Sequence, residues 1–297
     1  MMGHFLEFDP GASCNPCSPY AVLPLPYERS ASYMRGTARA PAAILDASVQ
    51  TELYDEELGV SPGLAVQTLP EVDCATGSDA DALERIRAAA LPAMSAGRFL
   101  LSLGGEHTVT VPLVRAAVKA FGPVSVLQVD AHADLRDTYE GSAYSHACAM
   151  RRLVDYGLRV AHAGIRSLCS EEARLIAGRG LPVIWARDAV SGPDGEWIAK
   201  ALGALGPRVY VTVDIDGLDP SLVPGTGTPE PGGLGWYPLL RLLRAVFGAR
   251  EVVAADIVEV VPVPGMVVSE FVAARLAVKM LAYHRLRDRI RTDCAES

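Results

Sequence analysis

The chain is short of positive charge. It carries 27 Lys and Arg against 35 Asp and Glu, a formal net charge of −8 over 297 residues. Nucleic-acid partners need clustered Lys and Arg to neutralise phosphates, so this balance argues against them. It weakly favours a cationic ligand through electrostatic steering. Long apolar runs are missing too. The longest charge-free stretch, Pro10 to Tyr27, holds five prolines, which argues against a membrane-spanning helix. The opening MMGHFLEFDPG has neither a basic segment nor an apolar core, so no secretory signal is expected and the cytoplasm is the expected compartment. Six cysteines in so long a chain make no disulfide framework. Cys14-Asn-Pro-Cys17 is a lone CxxC with no second pair or histidines nearby, expected to be a loop with two thiols rather than a zinc or redox site.

What the chain has is apolar bulk, half of its residues. That is enough core for one large α/β domain, expected over 1–297 with roughly the first 20 residues as a loose extension. No internal repeat or low-complexity linker is visible. Short apolar runs mark strands at Ala21–Leu25, Arg98–Leu103, Val124–Val129, Arg159–Ala163, Pro182–Trp185, Arg208–Val213 and Val252–Ile257. Unbroken runs of this kind fit strands covered on both faces. Helical patterns lie between them, at about 78–96, 109–121, 145–156, 170–178, 195–205, 237–247 and 268–290. Ser78-Asp-Ala-Asp81 reads as a capped start and Gly97 as a stop. This alternation predicts an α/β fold, a mostly parallel sheet with helices on both faces. Ligands of such sheets bind beyond the carboxyl ends of the strands.

Three of those ends carry metal-ligand chemistry. Gly104-Gly-Glu-His107 follows one strand, Asp130, His132 and Asp134 follow a second, and Asp214 and Asp216 follow a third. A fourth strand ends in Asp256-Ile-Val-Glu259. One Asp at a strand end is ordinarily a cap or turn former. Four carboxylates and two imidazoles converging on one edge are hard to explain that way, since buried charges need partners or a cation. The set is rich in oxygen, holds two nitrogens and has no obvious thiolate. That suits Mn²⁺, with Zn²⁺, Co²⁺ or Ni²⁺ as possible substitutes. Six ligands suit two cations about 3.5–4 Å apart, which can activate a shared water.

The segments GGEHTVT (104–110), DAHADLRD (130–137), YSHACAMRRL (144–153), GIRS (164–167), DIDGLDPSLVPGTGTPEPGGL (214–234) and DIVEVVP (256–262) resemble the ureohydrolase family of arginases and agmatinases. So does Arg35-Gly-Thr37 with Ala40-Pro41, and the resemblance runs from about residue 20 to 285. It implies a three-layer arginase-type fold and two Mn²⁺ per subunit. The ligands it implies are His107, Asp130, His132, Asp134, Asp214 and Asp216. It further implies hydrolysis of a guanidinium group to urea and an amine, and a homo-oligomer, trimer or hexamer. His146 matches the family's proton-shuttle histidine. It sits at a helix start, where the dipole would disfavour its charged form. Glu259 matches the glutamate that grips the guanidinium.

The substrate is less legible. Arginases grip a free α-carboxylate and α-amino group with an Asn- and Ser/Thr-rich loop after the metal motif, whereas this chain reads Leu-Arg-Asp-Thr-Tyr-Glu-Gly-Ser142. The GIRS, YSHA and TPEPGGL forms are similar to agmatinases, so agmatine is the expected substrate, with Glu230 and Asp137 as candidates for its ammonium. Guanidinobutyrate, guanidinopropionate, arginine and formiminoglutamate remain alternatives. A guanidino acid would need a cation, for which Arg136 is the candidate. A one-metal deacetylase-like enzyme and a non-catalytic relative are the rivals from other classes. His162 is expected to be packing rather than a ligand, His284 solvated, His4 terminal, Cys148 a small buried apolar residue, and Trp185, Trp197 and Trp236 core or interface residues.

Overall fold

A computed structural model of the chain describes residues 3–6 and 17–296; Cys14 lies outside them. Its eight strands are β1 (Tyr20–Leu25), β2 (Val66–Thr68), β3 (Phe99–Gly104), β4 (Ser125–Val129), β5 (Val160–Ile165), β6 (Val183–Trp185), β7 (Arg208–Asp214) and β8 (Glu251–Val258). They form one sheet in the order β2-β1-β3-β8-β7-β4-β5-β6, and every pairing is parallel. Around it run α1 (Ala40–Ser48), α2 (Asp79–Ser95), α3 (Thr110–Phe121), α4 (Ala149–Asp155), α5 (Ser170–Arg179), α6 (Ala186–Ser191), α7 (Asp194–Ala204), α8 (Trp236–Ala249), α9 (Val268–Arg285) and α10 (Arg287–Glu296).

Alternation along the strands sorts the core into two layers. Val22, Leu101, Leu103, Leu127, Val129 and Val211 pack with α1, α6, α7, α8 and α9. Ala21, Leu23, Leu100, Val126, Tyr210 and Ala254 pack with α2, α3, α4 and α5. Apolar contact on both faces is why these strands read as unbroken runs. The expected three-layer fold is therefore present, and its strand order has a direct consequence. The four strands whose ends carry His107, Asp130, Asp214 and Glu259 are β3, β8, β7 and β4, and they are neighbours in the middle of the sheet.

α2 begins as expected: Ser78 and Asp81 exchange side-chain-to-backbone bonds in a capping box. β2 escapes a periodicity reading because it is three residues long, and α6 because it is six. The helix expected over 268–290 is two helices. The chain turns at Leu286, so that Ile290 of α10 is buried against Gly248 of α8, where an added Cβ would stand 2.9 Å from the Ile290 side chain. The helix expected from 145 starts as a 3-10 turn, His146–Cys148, before α4.

Of the first twenty residues, Phe5 is buried in the core and its N–H bonds the Thr68 hydroxyl at 2.8 Å. His284, expected to be solvated, is instead packed: its ring lies 4.3 Å from that of Phe99 and edge-on to Tyr20. Trp197 is buried and Trp185 and Trp236 are partly so. Cys148 is buried and Cys17 exposed. Among the described residues no helix is long and apolar enough to cross a membrane.

Candidate metal centre

The strand ends bring all six expected ligand residues together. One ligand atom each from His107, Asp130 and Asp134 falls within 4.8 Å of the others, and so does one each from Asp130, His132 and Asp216. Asp130 belongs to both groups. Asp214 closes the set, its Oδ2 3.4 Å from His107 Nδ1. Backbone amides aim the carboxylates: His132 N–H donates to Asp130 Oδ1 at 2.6 Å, Ala131 N–H to Asp216 Oδ1 at 3.0 Å, and Asp216 N–H to Asp214 Oδ1 at 3.0 Å. Two site residues hold left-handed backbone, Asp134 (φ 53°) and Glu259 (φ 64°). That conformation is uncommon for non-glycine residues and concentrates at functional sites.

Hydrogen bonding fixes the role of His107. The fully buried Asp256 carboxylate accepts from Thr212 Oγ1 at 2.5 Å, Tyr210 OH at 2.7 Å and Thr110 Oγ1 at 2.9 Å. Thr212 has one proton and gives it to Asp256, so its oxygen accepts from His107 Nε2, 2.9 Å away. The lone pair of a neutral His107 is therefore on Nδ1. That atom is buried without a well-aligned hydrogen bond, facing carboxylate oxygens of Asp134, Asp130 and Asp214 at 2.9, 3.1 and 3.4 Å. A lone pair aimed at three acceptors makes physical sense around a cation.

The charge balance agrees. Burial, with Asp130 beside it, pushes Asp134 up to about 7. Burial likewise raises Asp214 and Asp216. Burial opposes charge on His132, yet Asp130 and Asp216 lift it to about 12. Burial would raise Asp130 as well, but His107 and His132 hold it below the carboxylate range. The cluster demands positive charge, and divalent cations would meet that demand through this oxygen-rich, two-imidazole donor set.

Glu259 and His146 face the same cavity, of about 310 Å³, which is also lined by Tyr33, Met34, Arg136 and Tyr139. Glu259 Oε1 accepts from the His107 N–H at 2.7 Å. Burial and then the charge of Glu106 hold its carboxyl well above the usual range, and among the described residues no cationic side chain pairs with it. The His146 imidazole is lowered to about 4, first by burial and then by His132 and His107. Burial and the two neighbouring imidazoles both disfavour its charged form.

The two expected substrate contacts differ: Asp137 pairs with Arg152 outside the cavity, while Glu230 stands beside the ligand cluster. Asp137 is exposed and bonded to Arg152 at 2.6 Å, and it does not line the cavity. Glu230 does not line it either; its Oε1 is 3.9 Å from His132 Nε2. Arg136 lines the cavity with its guanidinium stacked 4.9 Å from the Tyr139 ring centre. His162 is no ligand. Its Nδ1 meets Gln128 Oε1, and Gln128 Nε2 donates to Asp130 at 2.7 Å.

Thr212, Gln128 and Arg166 support the site through partners that their local sequence does not disclose. Arg166 of the GIRS segment donates to the carbonyls of Asp216 and Glu230, both at 2.7 Å, tying the loop after β7 to the end of β5. Its motif was visible, but its partners lie about 50 and 64 residues away.

A parallel α/β sheet carrying His/Asp clusters at its central strand ends is the architecture of one class of hydrolases. The chain belongs to the arginase family, whose model matches residues 18–282. It is 44% identical over 271 residues to the N(1)-aminopropylagmatine ureohydrolase of Synechocystis sp., covering 88% of each chain. It is 42% identical over 256 residues to the enzyme of that name from Thermus thermophilus, covering 86% of each. The crystal structure of the agmatine ureohydrolase of Thermoplasma volcanium superposes with a TM-score of 0.82 at 30% identity, covering 97% of this chain and 96% of that one.

Proposed function

We propose that this chain hydrolyses the guanidinium group of N1-aminopropylagmatine, and more slowly of agmatine, to urea and the corresponding amine. Agmatine is the expectation from motifs alone; the relatives from Synechocystis sp. and Thermus thermophilus, at 44% and 42% identity, carry the aminopropyl form in their names. Both carry the guanidinium on a four-carbon chain with a cationic amine at its far end, primary in agmatine and bearing the aminopropyl arm in the other, and both suit an acidic protein. The observation that carries the reading is Glu259, a half-buried carboxyl group with no cationic partner among the described residues, opening on the cavity beside the ligand cluster.

His107, Asp130, Asp134 and Asp214 would hold one divalent cation, and Asp130, His132 and Asp216 the other. Mn²⁺ is the proposed native metal because the donors are mainly carboxylate oxygens. Bound there, the cations would supply Lewis acidity and water activation at neutral pH. Glu259 accepts two N–H groups of the planar guanidinium and fixes its carbon toward the cluster. Hydrolysis forms a carbon–oxygen bond to water and breaks the carbon–nitrogen bond to the tail. His146 carries the proton that the departing amine needs. We further propose a cytoplasmic homo-oligomer, as expected from the sequence.

The test is urea release by the Mn²⁺-loaded protein from N1-aminopropylagmatine, agmatine, arginine, guanidinobutyrate and guanidinopropionate, with His132→Ala as control. The highest kcat/KM should fall on N1-aminopropylagmatine and vanish in the control. Preference for a guanidino acid would overturn the substrate and point to Arg136. No urea from any guanidine, with two metals bound per chain, would overturn the activity.

A further inference from the structure

Ser30 stands where three segments meet. Its Oγ is 2.5 Å from Glu106 Oε2, 3.1 Å from His146 Nδ1 and 3.0 Å from the His146 backbone nitrogen. Glu106 is fully buried, and its other oxygen accepts the N–H groups of Ser30 at 2.6 Å and Arg29 at 2.7 Å. Both oxygens of Glu106 act as acceptors in this arrangement, Oε1 from the two backbone N–H groups and Oε2 from the Ser30 hydroxyl. Gly105 makes this approach possible: a Cβ there would stand 2.0 Å from the Tyr27 carbonyl oxygen.

The roles follow by elimination. Ser30 has one hydroxyl proton, and the short contact places it on Glu106. Its oxygen then accepts from the His146 backbone N–H and from Nδ1. Nδ1 must therefore carry a proton, and the lone pair of the neutral ring lies on Nε2. The same logic, hydroxyl backed by buried carboxylate, fixes His107 through Thr212 and Asp256. The Tyr139 ring packs edge-on against the His146 imidazole, 5.9 Å between centres.

We propose that Ser30, backed by Glu106, is a positioning residue that holds His146 in the Nδ1–H tautomer with Nε2 as its proton-exchanging atom. This rests on the shuttle role given to His146 above. The shuttled proton then enters and leaves at Nε2 alone, with no ring flip between the two charge states. Nδ1–H remains bonded to Ser30 in both the neutral and the protonated ring. An acceptor behind a catalytic histidine acts in this way where orientation and tautomer limit proton transfer.

The test compares Ser30→Ala, Ser30→Thr and His146→Asn with the native metal-loaded enzyme. In histidine-labelled, Zn²⁺-loaded protein, the ¹⁵N spectrum of native His146, assigned by its loss in His146→Asn, should show a protonated Nδ1 and an unprotonated Nε2. Ser30→Ala should mix the tautomers and lower kcat about 10- to 100-fold with little change in KM. Ser30→Thr, which keeps the hydroxyl, should restore both readouts. An Nε2–H tautomer in the native protein, or Ser30→Ala with native spectrum and kcat, would overturn the proposal. Failure of the shuttle reading is a separate result: His146→Asn would keep native kcat, while the spectrum still decides what Ser30 does.

Discussion

Asp256→Asn would separate metal binding from folding. The native carboxylate accepts three hydroxyls, from Thr212, Tyr210 and Thr110. An Asn with its amide nitrogen turned to Thr212 keeps an acceptor for Tyr210 and Thr110 but hands Thr212 a proton. The Thr212 hydrogen then has two outlets, His107 Nε2 at 2.9 Å or Thr110 Oγ1 at 3.2 Å. The nearer outlet reverses the His107 tautomer and puts a hydrogen on Nδ1, where a ligand lone pair is needed. Metal binding must undo that choice. The expected penalty is about 1.4–2.8 kcal/mol, or roughly 10- to 100-fold in affinity, the range for groups that orient a ligand from behind. Competition with a chromophoric chelator at fixed pH measures affinity, and urea unfolding of the metal-free protein measures stability. Thr212→Val, which removes the acceptor, should weaken binding in the same direction. Native metal affinity in a folded Asp256→Asn protein would refute the tautomer argument.

Lys279 on α9 is 1% exposed and bonds Asp55, Glu56 and Glu57, at 3.1, 3.1 and 3.0 Å; Lys279→Met leaves the buried Asp55 uncompensated, so urea unfolding should show a loss of about 3 kcal/mol. The His284 imidazole is lowered from 6.5 to about 4 by burial and Arg287. The unfolded chain therefore binds its proton first, and stability falls as pH drops from 6.5 toward 4. The contribution reaches about 3 kcal/mol. His284→Phe should flatten that part of the pH–stability curve, and an unchanged slope would count against it.

The sequence by itself determined the layers and the contents of the site. Parallel strands covered on both faces must be apolar throughout, so they read as runs. A sheet of alternating strands and helices delivers every strand's carboxyl end to one edge, so Asp130, His132 and Asp134 could be placed with His107, Asp214 and Asp216 before any coordinates. The tertiary structure decided which strands are neighbours, and hence that β3, β8, β7 and β4 close around one point. It turned Asp137 outward to Arg152 and packed His284 on Phe99. It set Asp256 behind His107, and Ser30 behind His146 at 116 residues' separation. Local periodicity records which face of an element is buried, but carries no information on which distant hydroxyl or carboxylate will lie behind a given imidazole. Long-range packing fixes those partners, and they decide which nitrogen of each histidine is free to act.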